Sequence, residues 1–401
     1  MKSSRLNIII LYLFPIISWL GFRYYAFNES LFKGVLFATV PLMFLYVGNT
    51  IFHNSNSKIF LLMKWFLGVM LFSMVMAYVV WNQSFSLTYR AMISFWPFLF
   101  YFFLVKANFS SKAIETFVWV NVALYIVLYF YALSMAPMPI FGINDEEMDL
   151  SRGAFRIGIA NRGCISLAMF FSITRWVDQK KKVYLLLAAL CFVFIVLQVT
   201  RQNIIISLVI LVWYILKYKK HVWVYVIALF FALQFVNIKF SDDSVIGALM
   251  NLSERQIEDN NSGDTYIRII EYEYFFKEYT SNPLAVLFGN GVSHSESAFG
   301  KYDIRLQESK HLFQSDVGYA SFYCRFGIIG LIVFCMLVKA VFKVRDNNND
   351  SIISYKLFIA YLVLYHIASY AIVSDAIFFC IAVYMIDKST HVHTSDSNII
   401  A

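Results

Sequence analysis

About twelve apolar runs, several near the ~20 residues that a membrane-crossing helix needs, alternate with short polar links along this chain. They are Leu6–Phe22, Leu31–Phe52, Ile59–Val80, Ala91–Val105, Ile114–Ala136, Ile157–Thr174, Val183–Val199, Asn203–Leu216 and Val222–Ile238, then Val317–Phe342, Tyr355–Val373 and Ala376–Ile386. One long polar segment, Lys239 to Val317, interrupts them. It carries Asp242, Asp243, Glu254, Arg255, Asp264, Arg268, Glu308, His311 and Asp316. The pattern predicts an all-α, polytopic integral membrane protein. Residues 1–238 supply the N-terminal transmembrane helices, 239–317 a large extracytoplasmic loop with short helices, and 318–401 the C-terminal helices and a short polar tail expected to be disordered. The last two runs suit a helical hairpin bent near Ser374 and Asp375. No small-residue cleavage site follows the first run, which is therefore read as a helix and not a signal peptide.

Composition sharpens this picture. The chain is 60% hydrophobic and 14% charged, against about 25% charged in ordinary soluble domains. Trp81, Tyr89 and Trp176 sit near run ends, as in an aromatic belt. The net charge of +8 is not a nucleic-acid signal, because the lysines lie in short links between runs. With Lys2 and Arg5 in the cytoplasm, the inner links hold Lys58, Lys106, Lys112, Arg175, Lys180, Lys181, Lys182, Lys217, Lys219, Lys220, Lys343 and Arg345. The outer links hold little lysine beyond Lys33. The positive-inside bias then puts both termini in the cytoplasm and the long polar segment outside. The cysteines, Cys164, Cys191, Cys324, Cys335 and Cys380, form no CxxC, so neither a zinc site nor a disulfide framework is expected.

Arginine breaks the bias in the outer links. Thr200-Arg201-Gln202-Asn203 forms a tight turn between two runs. Arg201 there either grips a lipid-linked phosphate with its planar fork or snorkels to headgroups. Arg152, Arg156 and Arg162 follow Asp145, Glu146, Glu147 and Asp149, as a solvated ion-pair cluster or a second anion contact. In the long segment, Arg268 falls in the first turn of a helix over Ile269–Tyr279, which Asn282-Pro283 stops. Gly289-Asn290-Gly291 lacks the third glycine and following helix of a nucleotide site. His311 and Asp316 stand near the outer surface as acid–base candidates or as ordinary loop residues. Arg325, about two turns into the next helix, is costly unless it faces protein or water. Gly327 and Gly330 suit close helix packing.

In this order, the pieces resemble the O-antigen ligase and Wzy-type polymerase superfamily of bacterial surface-polysaccharide assembly. Thr200-Arg201 matches its outer-turn arginine. Arg268, Pro283, Gly289 and Gly291 match its loop pattern, and Gly327 and Gly330 its closing Gly-x-x-Gly. Asp316 stands where ligases usually carry histidine, and His311 lies five residues earlier, which favours polymerase over ligase.

The resemblance implies a metal-independent glycosyltransferase without cofactor in the bacterial inner (plasma) membrane. It would move glycan from an undecaprenyl-pyrophosphate donor to a lipid-linked repeat unit of an O-antigen, capsule or exopolysaccharide. Arg201, Arg268, Arg325, Arg152 and Arg156 would meet the pyrophosphate, with Asp316 or His311 as base. Its partners would be the lipid-linked oligosaccharide, membrane lipid, a chain-length regulator and a flippase, with no nucleic acid. The rivals are a ligase-type transferase, a flippase or other transporter, and a membrane acyltransferase using His366. A transporter explains neither the long polar segment nor the lack of an internal repeat.

Overall fold

A computed structural model describes residues 4–18, 29–53, 55, 57–135, 148–149, 156–157, 159, 162–198, 200–218, 267–345 and 352–397. Every run except Val222–Ile238, which lies outside the described residues, contributes a helix. In chain order these are α1 (Arg5–Ser18), α2 (Glu29–Phe52), α3 (Lys58–Trp81), α4 (Phe85–Ala91), α5 (Leu99–Ala107), α6 (Ser111–Met135), α7 (Gly163–Gln179), α8 (Lys182–Leu197) and α9 (Arg201–Tyr218). The polar segment adds α10 (Ile267–Lys277), α11 (Pro283–Phe288) and α12 (Ala298–Lys310). Last come α13 (Gly318–Lys343), α14 (Ile352–Tyr365), α15 (Ala371–Ser374) and α16 (Ala376–Ser397). Among the described residues the strands are limited to a short antiparallel ladder, β1 (Met148–Asp149) with β2 (Arg156–Ile157).

The runs become helices of unequal length, and of the about twelve expected spans only some are met by helices of spanning length among the described residues. Among the described residues four helices, α3, α6, α9 and α13, are long and apolar enough to cross a membrane. A fifth arises if Phe85–Ser94 and Trp96–Ala107, bent by 67°, count as one span. Pro97 sits just past that bend and has no N–H to continue the ladder. Large apolar side chains such as Leu45, Trp65, Val127, Leu186 and Ile205 stay exposed on α2, α3, α6, α8 and α9. Apolar helices of spanning length that leave so many large apolar side chains exposed make this a membrane protein.

The last helix departs from the sequence reading. It does not stop near Ile386 but runs on to Ser397. Its continuation is anchored where the buried Asp387 accepts hydrogen bonds from Ser57 and from Tyr101 (2.7 Å). Lys388 and Tyr384 both donate to the Phe109 carbonyl. These contacts join the start of α3, the end of α5 and α16 at one pole of the bundle. Glu115 at the start of α6 pairs with Arg175 near the end of α7 through bonds of 2.5 and 2.6 Å.

The polar segment caps the opposite pole. Trp81, the last residue of α3, stacks on Phe299 (4.6 Å, 6°) and donates to the Asn290 side chain (3.1 Å). Gln83 donates to the Val292 carbonyl (2.8 Å). Arg90 and Glu296 form a bidentate pair at 3.1 Å. Tyr279 (2.6 Å) and Ser293 both donate to the Asp303 carboxylate, whose burial raises its proton affinity while these bonds oppose the rise. The cap is thereby tied to the ends of α3 and α4.

Candidate active site

The site is built on a break in α13. Gly327 takes φ 66°, ψ −170° inside that helix, a region essentially closed to side chains. A helical carbonyl normally accepts from the N–H four residues on. At the break, the carbonyl of Cys324 accepts instead from Asn290 N–H (2.7 Å), and that of Arg325 from Gly291 N–H (3.1 Å). Gly289, at φ 84°, comes so close that a Cβ on it would lie 2.1 Å from the Arg325 carbonyl oxygen. The Gly-x-Gly is therefore a backbone clamp on α13. Gly327 serves this clamp, whereas Gly330 is the glycine that faces α3, with Val69 within 3.4 Å of its Cβ position. The clamp fixes Arg325.

The turn between α14 and α16 then gathers arginines from three other parts of the chain. The guanidinium of Arg325 lies 4.4 Å from the Tyr370 ring centroid and 5.8 Å from that of Phe95. Arg268 donates to the Ala368 carbonyl (2.7 Å), and Tyr272, one helical turn on, to the Ile367 carbonyl (2.5 Å). Both carbonyls stand just past the end of α14, where helical partners run out. Arg162 lies 5.8 Å from the Tyr365 ring. The next residue, Gly163, donates its N–H to Asp375 (2.9 Å). Arg201 opens α9, and two residues later Asn203 accepts from Tyr361 (2.7 Å), one turn before Tyr365 on α14.

Asp316 joins this group through Arg268, at 3.8 Å. It ends a 3-10 turn, Gln314–Asp316, and its side chain is 46% exposed against 21% for Arg268. A carboxylate half open to solvent beside a fixed cation has the access that a base requires. Glu271, on the same helix as Arg268, is a residue the sequence reading missed. It is 1% exposed, one oxygen accepts from Phe313 N–H (2.8 Å), and the other has no hydrogen-bond partner. Burial raises its proton affinity; Asp316 adds to this, while Phe313 N–H and Arg268 oppose it. The available signal was its spacing, three residues after Arg268 in a helical stretch.

The remaining predicted residues are placed differently. His311 caps the C-terminus of α12 at φ 54° and is exposed. Arg156 lies in β2, its Cα opposite that of Asp149. Arg152 lies outside the described residues. His366 is fully buried between the rings of Tyr319 and Phe322, at 5.0 and 5.4 Å.

Residues 186–335 match the family model described as Wzy_C, O-antigen ligase. The match supports the O-antigen ligase and Wzy superfamily. No curated protein matches the chain. The Wzy_C stretch includes Arg201, Arg268, Glu271, the Gly289–Gly291 clamp, Asp316 and Arg325. Arg162 and the 365–375 turn, which complete the cluster, lie outside it. Members of the matched family are membrane glycosyltransferase-like enzymes of the ligase and polymerase kind that act on lipid-linked oligosaccharides, and this chain is similar to them over residues 186–335.

Proposed function

We propose that the chain is a Wzy-type polymerase of a bacterial surface polysaccharide, an O-antigen, capsule or exopolysaccharide. Its donor would be glycan on undecaprenyl pyrophosphate and its acceptor a lipid-linked repeat unit. The observation that carries this reading is the meeting of Arg162, Arg268 and Arg325 on the 365–375 turn, with Asp316 beside Arg268. The acceptor hydroxyl attacks the anomeric carbon of the donor and the bond to pyrophosphate breaks. Asp316 takes the hydroxyl proton. Charge developing on the departing pyrophosphate is met by guanidinium groups already fixed in place, which is electrostatic preorganisation. Arg201 approaches the same group from the start of α9. In this reading the cap faces the outside of the plasma membrane and both termini are cytoplasmic.

The test is purified protein given lipid-pyrophosphate repeat units in liposomes. Longer lipid-linked glycans without nucleotide sugar support polymerisation. Substrate that crosses the bilayer with unchanged length points to a flippase and overturns the reading. Asp316→Asn should cut the rate by about 10²–10⁴-fold, the usual range for a general base. The description of the matched family favours a ligase-type transferase as second reading. It would share donor and arginines and differ in the acceptor, so transfer to a lipid-anchored core oligosaccharide but not to repeat units would select it.

A further inference from the structure

Glu271 stands one helical turn from Arg268, on the same side of α10, since residues three apart on a helix are neighbours. The two side chains reach the same short segment. Arg268 meets the carboxylate of Asp316 at its far end (3.8 Å), and Glu271 accepts the N–H of Phe313 at its near end (2.8 Å). Between them lies the 3-10 turn Gln314–Asp316, and Asp316 N–H itself donates to the Phe313 carbonyl (3.1 Å). The residue that Glu271 grips by its N–H thus accepts, through its own carbonyl, from the residue read as the base.

A buried carboxylate with an unpartnered oxygen costs stability. At 1% exposure Glu271 cannot touch substrate. Its one hydrogen bond among the described residues is the one to Phe313. The group therefore acts on the turn.

We propose that Glu271 is the positioning residue for Asp316: it and Arg268 clamp the 313–316 turn to one helix, so that base and arginine keep a fixed relation. This rests on the polymerase or ligase reading above, in which Asp316 takes the acceptor proton. Catalysis is sensitive to such placement, because an error near 1 Å can cost on the order of 10²-fold.

The test uses the full-length protein with Glu271→Ala, Glu271→Gln and Asp316→Asn, singly and as Glu271→Ala/Asp316→Asn. Rates of glycan elongation are read beside amide hydrogen exchange over residues 311–317. Glu271→Ala should lower kcat by roughly tenfold or more with KM within about threefold, because the effect falls on placement of the base. Glu271→Gln keeps an acceptor for Phe313 N–H and should recover kcat to within about threefold of the unmodified protein. In the Asp316→Asn background, Glu271→Ala should cost less than about twofold, since residues acting as one unit are not additive. Exchange at the turn should quicken in Glu271→Ala and not in Glu271→Gln. Where alanine unfolds the protein, Glu271→Met fills the space without an acceptor and takes its place.

Unchanged kcat in folded Glu271→Ala, with Asp316→Asn inactive, overturns the positioning role and leaves the reading of Asp316 standing. Equal loss in Glu271→Ala and Glu271→Gln also overturns it, by making charge and not the N–H bond the cause. Full activity in Asp316→Asn overturns the base assignment, and with it the role given to Glu271.

Discussion

Arg325 lies over the ring of Tyr370, with its guanidinium 4.4 Å from the ring centroid. The arginine comes from just before the break in α13 and the tyrosine from the turn after α14. The pair keeps a cation within the bundle against aromatic rings. A cation–π contact contributes about 0.5–2 kcal/mol, so Tyr370→Phe should change elongation by less than about twofold. Tyr370→Ala should lower it by roughly twofold to thirtyfold, as that energy range implies. Elongation rates of the two purified variants check this, and equal loss in both would move the importance of Tyr370 from its ring to its hydroxyl.

Gly327→Ala tests the backbone clamp. The residue sits at φ 66°, and a Cβ there would lie 2.3 Å from the Leu287 carbonyl oxygen. Such backbone strain costs about 1–3 kcal/mol before any clash is counted. Gly68, within α3, has nothing within 4 Å of its Cβ position. Gly68→Ala should therefore be neutral or stabilise by up to about 1 kcal/mol. Thermal unfolding in detergent should show a lower midpoint for Gly327→Ala and an equal or higher one for Gly68→Ala.

The succession of helices was legible because membrane-scale apolar runs need no long-range information. What hydropathy could not show was where a run breaks. The bend by Pro97 and the Gly327 break both depend on what docks against the freed backbone, and for Gly327 that partner is Asn290–Gly291 in the polar segment. Arg268, Asp316 and Arg325 were legible as charges out of place, and they do gather. The turn on which they meet was not, because it offers ring faces and carbonyls rather than distinctive side chains. Glu271 escaped notice because an acid in an exposed-looking helix carries no mark of burial.

The proton affinity of Glu271 is raised by burial first and by Asp316 second, against the opposing pull of Phe313 N–H and Arg268. The folded state then holds a proton at a pH where the unfolded state has lost it. Stability must fall as pH rises from the ordinary glutamate range through the raised value. Thermal midpoints of the unmodified protein should therefore decline across that window. In Glu271→Gln, which does not titrate, the decline should be shallower. Parallel curves for the two proteins would remove Glu271 as the source.

Sidedness follows from the lysine distribution. Single cysteines replacing Ser262 and Ser351 in a Cys-depleted background should react from opposite sides of intact cells. Ser262 lies in the polar segment expected outside, and Ser351 in the link after Lys343 and Arg345, expected inside. A membrane-impermeant thiol reagent should label the first and spare the second. Labelling of both from the outside would break the topology on which the proposed donor site depends.

Arg201 separates a substrate contact from a lipid contact. It opens α9 at the level where Asn203 meets Tyr361, beside the helix that carries Tyr365. A snorkelling cation needs only charge and reach, so Arg201→Lys would then behave as the unmodified protein. A pyrophosphate contact needs the planar fork, which presents two parallel donors that a lysine ammonium lacks. The expected result is loss of polymer in Arg201→Ala and little polymer in Arg201→Lys, at normal protein level. Surface polysaccharide resolved on a gel reads it directly: the long modal chains vanish in the first variant and nearly vanish in the second. A full ladder in Arg201→Lys would assign this arginine to the headgroups and leave the pyrophosphate to Arg162, Arg268 and Arg325. A full ladder in Arg201→Ala would remove it from both roles.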